Sequence, residues 1–538
     1  MTGPIGATSP VFAVDATPKL YTAALGNALY FYQNERDGAD YIPTPLRSAP
    51  AHLNDETAAV YLTPVIDRND DLVGDLQPTG ATTNAAGGWW DAGDYLKFVQ
   101  TASYTEALML IGVRDFPAAM GKGSPNADFT AEAKFGVDWL RRMWDDNSRT
   151  LYYQVGIGTG NDEIVSDHDI WRLPQVDDDY GHGWDPSYRY IRNRPVLIAA
   201  PAGSPISPNL AGRLAAAFAE SYQLFRTSNP TYARQCLLSA EHIFDLADTS
   251  PKDDLLTVAP FDFYPETEWR DGLELGATEL YFALASGRPP SGLPHNDAFF
   301  YLRAAAQWAR AYIHGPNDAT DTLNLYDVSG LAHFELYRAI ARAGNPGGLD
   351  VSQADLLDDL ERQLSNAGVQ AALDPFGFGF PWDEYDSATH GAGLSVMAKE
   401  VSYLTQDASY ENDARFWLAN IMGANAWGSS FIVGDGGTFP DCMQHQVANL
   451  VGSLDGQEPL LRGALVEGPN SFAAKGFLHG MRRCPPGSGD VFAPFNRNGA
   501  VYKDNVQSYS TVEPAIDLTA ASFLMFAWSL AGAPAAGF

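Results

Sequence analysis

Gly87-Gly88-Trp89-Trp90-Asp91-Ala92-Gly93-Asp94-Tyr95-Leu96-Lys97-Phe98 is the stretch around which the chain is organised. Two carboxylates stand three residues apart, between glycines and beside a double tryptophan. Glycine lets a backbone turn tightly or approach a ligand closely. Paired acids can activate a water, and aromatic faces bind the apolar faces of sugar rings. The same residues also read as a turn entering a helix, with Asp94 as its N-cap and the tryptophans as core. In the first reading Asp91 and Asp94 hold one water between them; in the second they are structural. The tryptophans are expected to hold the loop rather than to touch a ligand.

Outward from this stretch the chain reads as helix after helix. Apolar residues recur at helical spacing over 20–33, 101–113, 129–144, 209–225, 232–247, 273–284, 297–313, 330–342, 353–366, 392–403, 410–422 and 519–530. Convincing strands are few. Long polar loops, at 43–88, 154–208 and 423–471, separate the helices and gather Trp, His and Asp; loops of that length in a compact protein carry function. No composition break marks a linker between domains. The expectation is an all-α fold, six helical hairpins closed into a toroid whose loops build a cleft at one end. It comprises a tail at 1–17 and one catalytic domain at 18–538.

The 538 residues carry 66 acidic and 34 basic side chains, a net charge of −32. Phosphate backbones need clustered Lys and Arg, so nucleic acid is not an expected partner. No apolar run reaches membrane-spanning length, and a membrane is not expected either. The opening Met1-Thr-Gly-Pro-Ile-Gly has no charged-then-apolar leader pattern. Cys236, Cys442 and Cys484 form no CxxC pair; one bridge is compatible with their number, and Cys442 reads as a buried small residue rather than a nucleophile.

A glycosidase needs an acid across the scissile bond from its base. The best distant candidate is Glu513, in Tyr509-Ser-Thr-Val-Glu-Pro-Ala-Ile-Asp517, read as opening the last apolar helix just before Pro514. Asp517 reads as a helix N-terminal carboxylate. Asp167-His168-Asp169-Ile170-Trp171-Arg172 combines acids, an imidazole and an indole; a metal at His168 is the alternative, without a second His at zincin spacing. Asp177-Asp178-Asp179 reads as solvated loop charge rather than a calcium site. His390 and His445 stand as loop histidines.

With these residues in hand, the chain resembles glycoside hydrolase family 9, the inverting cellulases with an (α/α)6 barrel. Gly87 to Phe98 is similar to that family's GGWxDAGDxxKF segment, and Thr511 to Asp517 resembles its NExAIDYNA segment. Asp167 to Trp171 resembles DHxxW, and Gly463-Ala-Leu-Val-Glu-Gly-Pro-Asn470 resembles GALVGGPD. Residues 424–445 resemble the NPxxxSxVxGxGxxxP…H segment, and the likeness covers about 18–532. There are departures: His445 is followed by Gln446 and Val447 instead of the family's x-Arg, and Val512 replaces the Asn before the acid.

The resemblance implies Asp94 as general base, Asp91 as its partner on the water and Glu513 as general acid. His168, Trp171, His390, His445 and Tyr509 become candidate sugar contacts. It implies single-displacement hydrolysis of β-1,4-glucosidic bonds with inversion, which requires the acid and base carboxyls roughly 6.5–9.5 Å apart. Endo action on a β-glucan is expected; the alternatives are an exo-acting β-glucosidase or cello-oligosaccharide hydrolase, and a non-catalytic carbohydrate-binding protein. No cofactor is expected for catalysis, a structural calcium ion is allowed, and its ligands are not assigned. Secretion is implied by resemblance, as is room for an immunoglobulin-like module ahead of the catalytic domain in the full-length protein.

Overall fold

The structure is a computed structural model that describes residues 18–125, 127–316, 322–453, 456–487 and 489–535. The expected tail at 1–17 lies outside the described residues. Among those described, twelve long helices follow one another: α1 Pro18–Glu35, α2 Val99–Asp115, α3 Thr130–Met143, α4 Pro208–Phe225, α5 Pro230–Asp245, α6 Arg270–Ala285, α7 Ala298–Ile313, α8 Ser329–Arg342, α9 Gln353–Ala371, α10 Ser387–Thr405, α11 Ala408–Ile421 and α12 Ile516–Ala531. Each of the twelve helical patterns in the sequence corresponds to one of them.

The even-numbered helices form a closed inner ring. In order around it, α2 packs on α4, α4 on α6, α6 on α8, α8 on α10, α10 on α12, and α12 back on α2. The outer helices α1, α3, α5, α7, α9 and α11 back this ring, with α3, α5, α7 and α9 each packed across two neighbouring inner helices. This is the (α/α)6 barrel. Sequence explains the two layers. Every residue of α2 is buried, as an inner helix enclosed on all sides requires. The outer α9 instead buries one stripe, Leu356, Leu360, Leu364 and Ala367, at helical spacing. Where α4 crosses α6 the backbones nearly touch. A Cβ on Gly212 would lie 2.2 Å from the carbonyl carbon of Gly272, and one on Gly276 would lie 2.6 Å from the Gly212 oxygen.

A small sheet lies beside the ring and was scarcely visible in the sequence pattern. Its strands are β1 Ala58–Leu62, β2 Pro78–Thr83, β3 Lys97–Phe98, β4 Trp144–Asp145, β5 Thr150–Val155 and β6 Val196–Ile198, in the order β2-β1-β6-β5-β3 with β4 paired to β5. Strand β3 ends the Gly87–Phe98 stretch and leads directly into α2. Its antiparallel register with β5, Lys97 opposite Val155 and Phe98 opposite Gln154, anchors that stretch.

Cys442 and Cys484 form a disulfide, which excludes a thiolate nucleophile at Cys442; Cys236 is free and buried. Among the described residues no helix is long and apolar enough to cross a membrane. No group of three or more His, Cys, Asp or Glu among them is arranged to hold a metal ion.

The α4–α6 crossing yields a prediction. Gly212→Val forces side-chain carbon into the Gly272 backbone and should destabilise the protein by about 1–3 kcal/mol or more. A lowered denaturant midpoint would register it; an unchanged midpoint would contradict the close crossing.

Candidate active site

Because the inner helices run the same way, the segments feeding their N-termini meet at one end of the barrel. There they line a cleft of about 750 Å³. Asp91 to Asp94 precede α2, Tyr264 and Pro265 precede α6, Tyr326 precedes α8, Asp386 precedes α10, and Glu513 and Ala515 precede α12. Phe263, His168, Trp171, Tyr385 and Tyr509 add rings to its walls. The cleft thus combines carboxylates with aromatic faces, the combination that sugars call for.

The Gly87–Phe98 stretch is a tight loop rather than a helix start: α2 begins at Val99, with Phe98 at its N-cap position. Asp94 turns inward on the loop instead, its Oδ1 accepting the Leu96 N–H at 2.7 Å. Its Oδ2 lies 3.0 Å from His168 Nε2. Asp91 is held by two hydroxyls, Thr101 donating to Oδ1 at 2.5 Å and Tyr264 to Oδ2 at 2.6 Å. Its backbone N–H donates to Leu96 O, and its carbonyl accepts the Ile516 N–H. Burial, and then the charge of Asp94, push the Asp91 carboxyl up to about 7. Trp89 and Trp90 are both buried. Trp89 donates to Glu132 at 2.8 Å, and Trp90 lies under the Arg47 guanidinium and against Tyr95.

Glu513 is not in the last helix. Pro514 pushes the residue before it into an extended conformation, φ −77° and ψ 128°, and α12 starts only at Ile516. This extended segment bridges Val466 through Pro514 and brings Glu513 over the carboxylate loop. There the Gly93 N–H donates to Glu513 Oε1 at 3.1 Å. With its amide nitrogen turned inward, the Gln444 side chain donates to both carboxyl oxygens, at 3.2 and 3.1 Å. Burial, followed by the charge of Asp94, pushes Glu513 up to about 8, against the lowering effect of His168. Burial lowers the His168 imidazole, but its hydrogen bond to Asp94 and the charges of Asp94, Asp167 and Glu513 outweigh that and carry it to about 9. His168 also stacks on Phe263, ring centroids 5.0 Å apart.

The remaining candidates divide. His168, Trp171 and Tyr509 line the cleft. His390 and His445 do not. His390 lies inside α10, which starts earlier than its pattern suggests; it is buried, stacked on Phe380 at 3.6 Å and bonded to Thr322 at 2.8 Å. His445 is 1% exposed; its Nε2 meets Glu35 at 3.1 Å and its Nδ1 accepts the Ala448 N–H. Both are buried, and the structure does not bring them to the cleft beside the other candidates. Asp177 is corrected: it is fully buried, accepting Arg172 at 2.6 and 2.9 Å and meeting His52 at 3.0 Å. Asp517 stands in the first turn of α12, as read.

Sequence reasoning missed the groups that hold the loop. Lys97 donates to Asp37, Asp55, Ala85 O and Gly87 O at 2.8–3.0 Å. Arg194 bonds Asp37, Asp55 and the Tyr95 carbonyl, and Asp167 accepts the Tyr95 N–H at 3.2 Å and Arg172 at 2.7 Å. A Lys inside an otherwise apolar run was the available signal for the first of these.

The family model "Glycosyl hydrolase family 9" matches residues 21–526. Among curated relatives, Endoglucanase B of Cellulomonas fimi is 25% identical over 84% of this chain and 39% of its own length. Endoglucanase 19 of Oryza sativa subsp. japonica is 29% identical over 49% of this chain and 42% of its own. The chain therefore spans about two fifths of the length of these two relatives. Among solved structures, the catalytic domain of Clostridium thermocellum CelT superposes with a TM-score of 0.67 at 20% identity, covering 95% of this chain and 96% of that one. The cellulase Cel9M of C. cellulolyticium, in complex with cellobiose, gives 0.66 at 20% identity, covering 95% and 98%. At these identities the structures establish the fold.

The loop geometry makes a prediction. Gly93 has no room for a side chain: its Cβ would lie 2.2 Å from the Gln444 carbonyl oxygen and 3.0 Å from Glu513 Oε1. Gly93→Ala must separate the two carboxylate segments, and a displacement near 1 Å costs on the order of 100-fold in turnover. Turnover at wild-type level in a folded Gly93→Ala protein would show that the contact does not matter.

Proposed function

The chain belongs to glycosyl hydrolase family 9, and from that membership and the geometry of its cleft we propose an inverting hydrolase that cleaves β-1,4-glucosidic bonds within cellulose or related β-glucans. One observation carries the reading: the N–H of Gly93, the residue just before Asp94, donates to Glu513, so the two acids face one cleft from opposite ends of the chain. The names of the curated relatives, endoglucanases, support endo action.

In the proposed reaction Asp94 takes a proton from a water that Asp91 helps to hold. The water oxygen bonds the anomeric carbon from the face opposite the leaving group. The glycosidic C–O bond breaks, and the Glu513 proton passes to the leaving oxygen. Inversion follows from the single displacement. The environments suit the roles. Glu513, desolvated beside Asp94, keeps its proton to about pH 8. His168 bonds Asp94 and stands with Trp171 and Tyr509 as the proposed sugar contacts. A bridge between Cys442 and Cys484 suits an oxidising, extracellular location.

Asp94→Asn and Glu513→Gln should each lower hydrolysis of a soluble cellulose derivative by about 10²–10⁴-fold with the helical signal unchanged. Wild-type turnover in both would rule out the assignment. Product analysis should give the α-anomer from internal cleavage; release of terminal units alone would make the enzyme exo-acting.

The pH profile is a second test. Glu513 must be protonated to act, and its carboxyl sits near 8, so kcat/KM should fall as pH rises through about 8. His168 is a cation that lowers Glu513. The residual activity of His168→Gln should therefore lose its alkaline limb at higher pH than wild type; a limb moving down would reverse the assignment.

A further inference from the structure

One charged wall of the cleft takes no part in the reaction above. Glu467 and Asp386 line the cleft with Glu513. Glu467 stands where the GALVGGPD segment has a glycine, so this chain adds a carboxyl at a position that otherwise carries no side chain. We propose that Glu467, braced by Asp386, is a substrate-binding residue that grips hydroxyls of the sugar ring next to the bond being cleaved. The proposal rests on the hydrolase reading.

Geometry fixes Glu467 against the catalytic acid. Its N–H donates to the Glu513 carbonyl at 2.9 Å, within the bridge between Val466 and Pro514. Its own carbonyl accepts the Ala388 N–H at 3.1 Å, which docks the segment on the start of α10. The carboxyl is held from the same place: Asp386 N–H donates to Glu467 Oε2 at 3.0 Å. The backbone is thus tied to Glu513 on one side and to a rigid inner helix on the other. A sugar contact on so fixed a mount can select geometry rather than follow the ligand.

The chemistry suits a neutral diol. Burial, then the charge of Asp386 and a hydrogen bond with it, hold the Glu467 carboxyl well above the ordinary range. A carboxyl raised in this way keeps a proton to donate beside an oxygen that accepts, which is what adjacent hydroxyls need. Around it stand the phenols of Tyr326, Tyr385 and Tyr509, the last two hydrogen-bonded to each other. Their rings supply apolar faces beside the polar grip. Glu467 is partly exposed to the cleft, while Asp386 behind it is 8% exposed, the arrangement of a contact residue and its brace.

The test is calorimetric titration of cellotetraose into three inactive proteins: Asp94→Asn, Asp94→Asn with Glu467→Gly, and Asp94→Asn with Glu467→Gln. Glu467→Gly should weaken binding about tenfold, the value of one well-made hydrogen bond. Glu467→Gln, which keeps a donor and an acceptor in place, should recover part of that loss and shows that the site folds. In the active background Glu467→Gly should raise KM more than it lowers kcat. Equal affinity of all three proteins, or tighter binding by Glu467→Gly, overturns the role of Glu467 and leaves the hydrolase reading standing. Failure of Asp94→Asn alone to bind cellotetraose overturns the hydrolase reading, and this proposal with it.

Discussion

The site depends on a lysine ammonium with no exposed surface. Lys97 Nζ joins Asp37 and Asp55 and the carbonyls of Ala85 and Gly87, so the base of the carboxylate loop is tied to a point charge beneath it. From there a chain of ion pairs runs outward: Arg194 to Asp37 and Asp55, His52 between Asp37 and Asp177, and Arg172 between Asp177 and Asp167. Four carboxylates meet three fixed cations, and His52 completes the balance. Burial and the neighbouring Arg194 pull its imidazole down, but the two aspartates leave it raised overall. Breaking one member of such a set strands a buried charge, at a cost of about 3–5 kcal/mol. The network is therefore an all-or-none support, and its two ends hold Gly87 O and the Tyr95 N–H on either side of Asp91 and Asp94.

The barrel supplies what the network cannot. Alternating helices into an inner and an outer ring makes all six inner helices parallel. The loops before α2, α6, α8, α10 and α12 consequently converge, and so do the positive ends of the helix dipoles. Seven carboxylates, Asp70, Asp91, Asp94, Asp262, Asp386, Glu467 and Glu513, line one cleft of a protein that is already strongly acidic. Hydroxyl and amide donors, Thr101, Tyr264, Gly93 and Asp386 N–H, offset part of that repulsion. Burial first, and the repulsion that remains second, raise the carboxyls of Asp91, Glu467 and Glu513. The acid role proposed for Glu513 near neutrality draws on that shift.

The architecture was legible in the sequence because it rests on local periodicity. All twelve helices announce themselves through spacing, even the fully buried α2. The carboxylates were legible because Gly93 and Pro514 leave a backbone mark beside each. Contacts made by distant chain were not. His390 looked like a loop residue because Gly391 and Gly393 weaken the local helical signal, yet those glycines exist for packing: a Cβ on Gly393 would lie 1.9 Å from Leu323 O. Asp177 looked solvated because its partner His52 lies 125 positions away, and the nearer Arg172 sits in the same long loop. Nothing in a three-aspartate run tells which member turns inward. His445 pairs with Glu35, 410 positions away, which no spacing rule reaches.

The same titrations set limits on where the molecule can both stand and act. Asp37 and Asp167 lie below the ordinary carboxylate value: for each, burial raises the group and the cations beside it outweigh that. The stability they contribute is present above the unfolded pKa and is lost as pH falls through their folded values. Glu513 and Asp91 lie above it, at about 8 and about 7. Their contribution is complete below the unfolded pKa and is lost as pH rises towards those values. The supporting network thus fails in acid and the active carboxyls fail in alkali. The protonated Glu513 that the proposed reaction needs is also the form the fold tolerates best. Between the ordinary glutamate value and about pH 8 the stability held by its proton is progressively lost, and above about pH 8 the proton that the proposed reaction needs is gone as well.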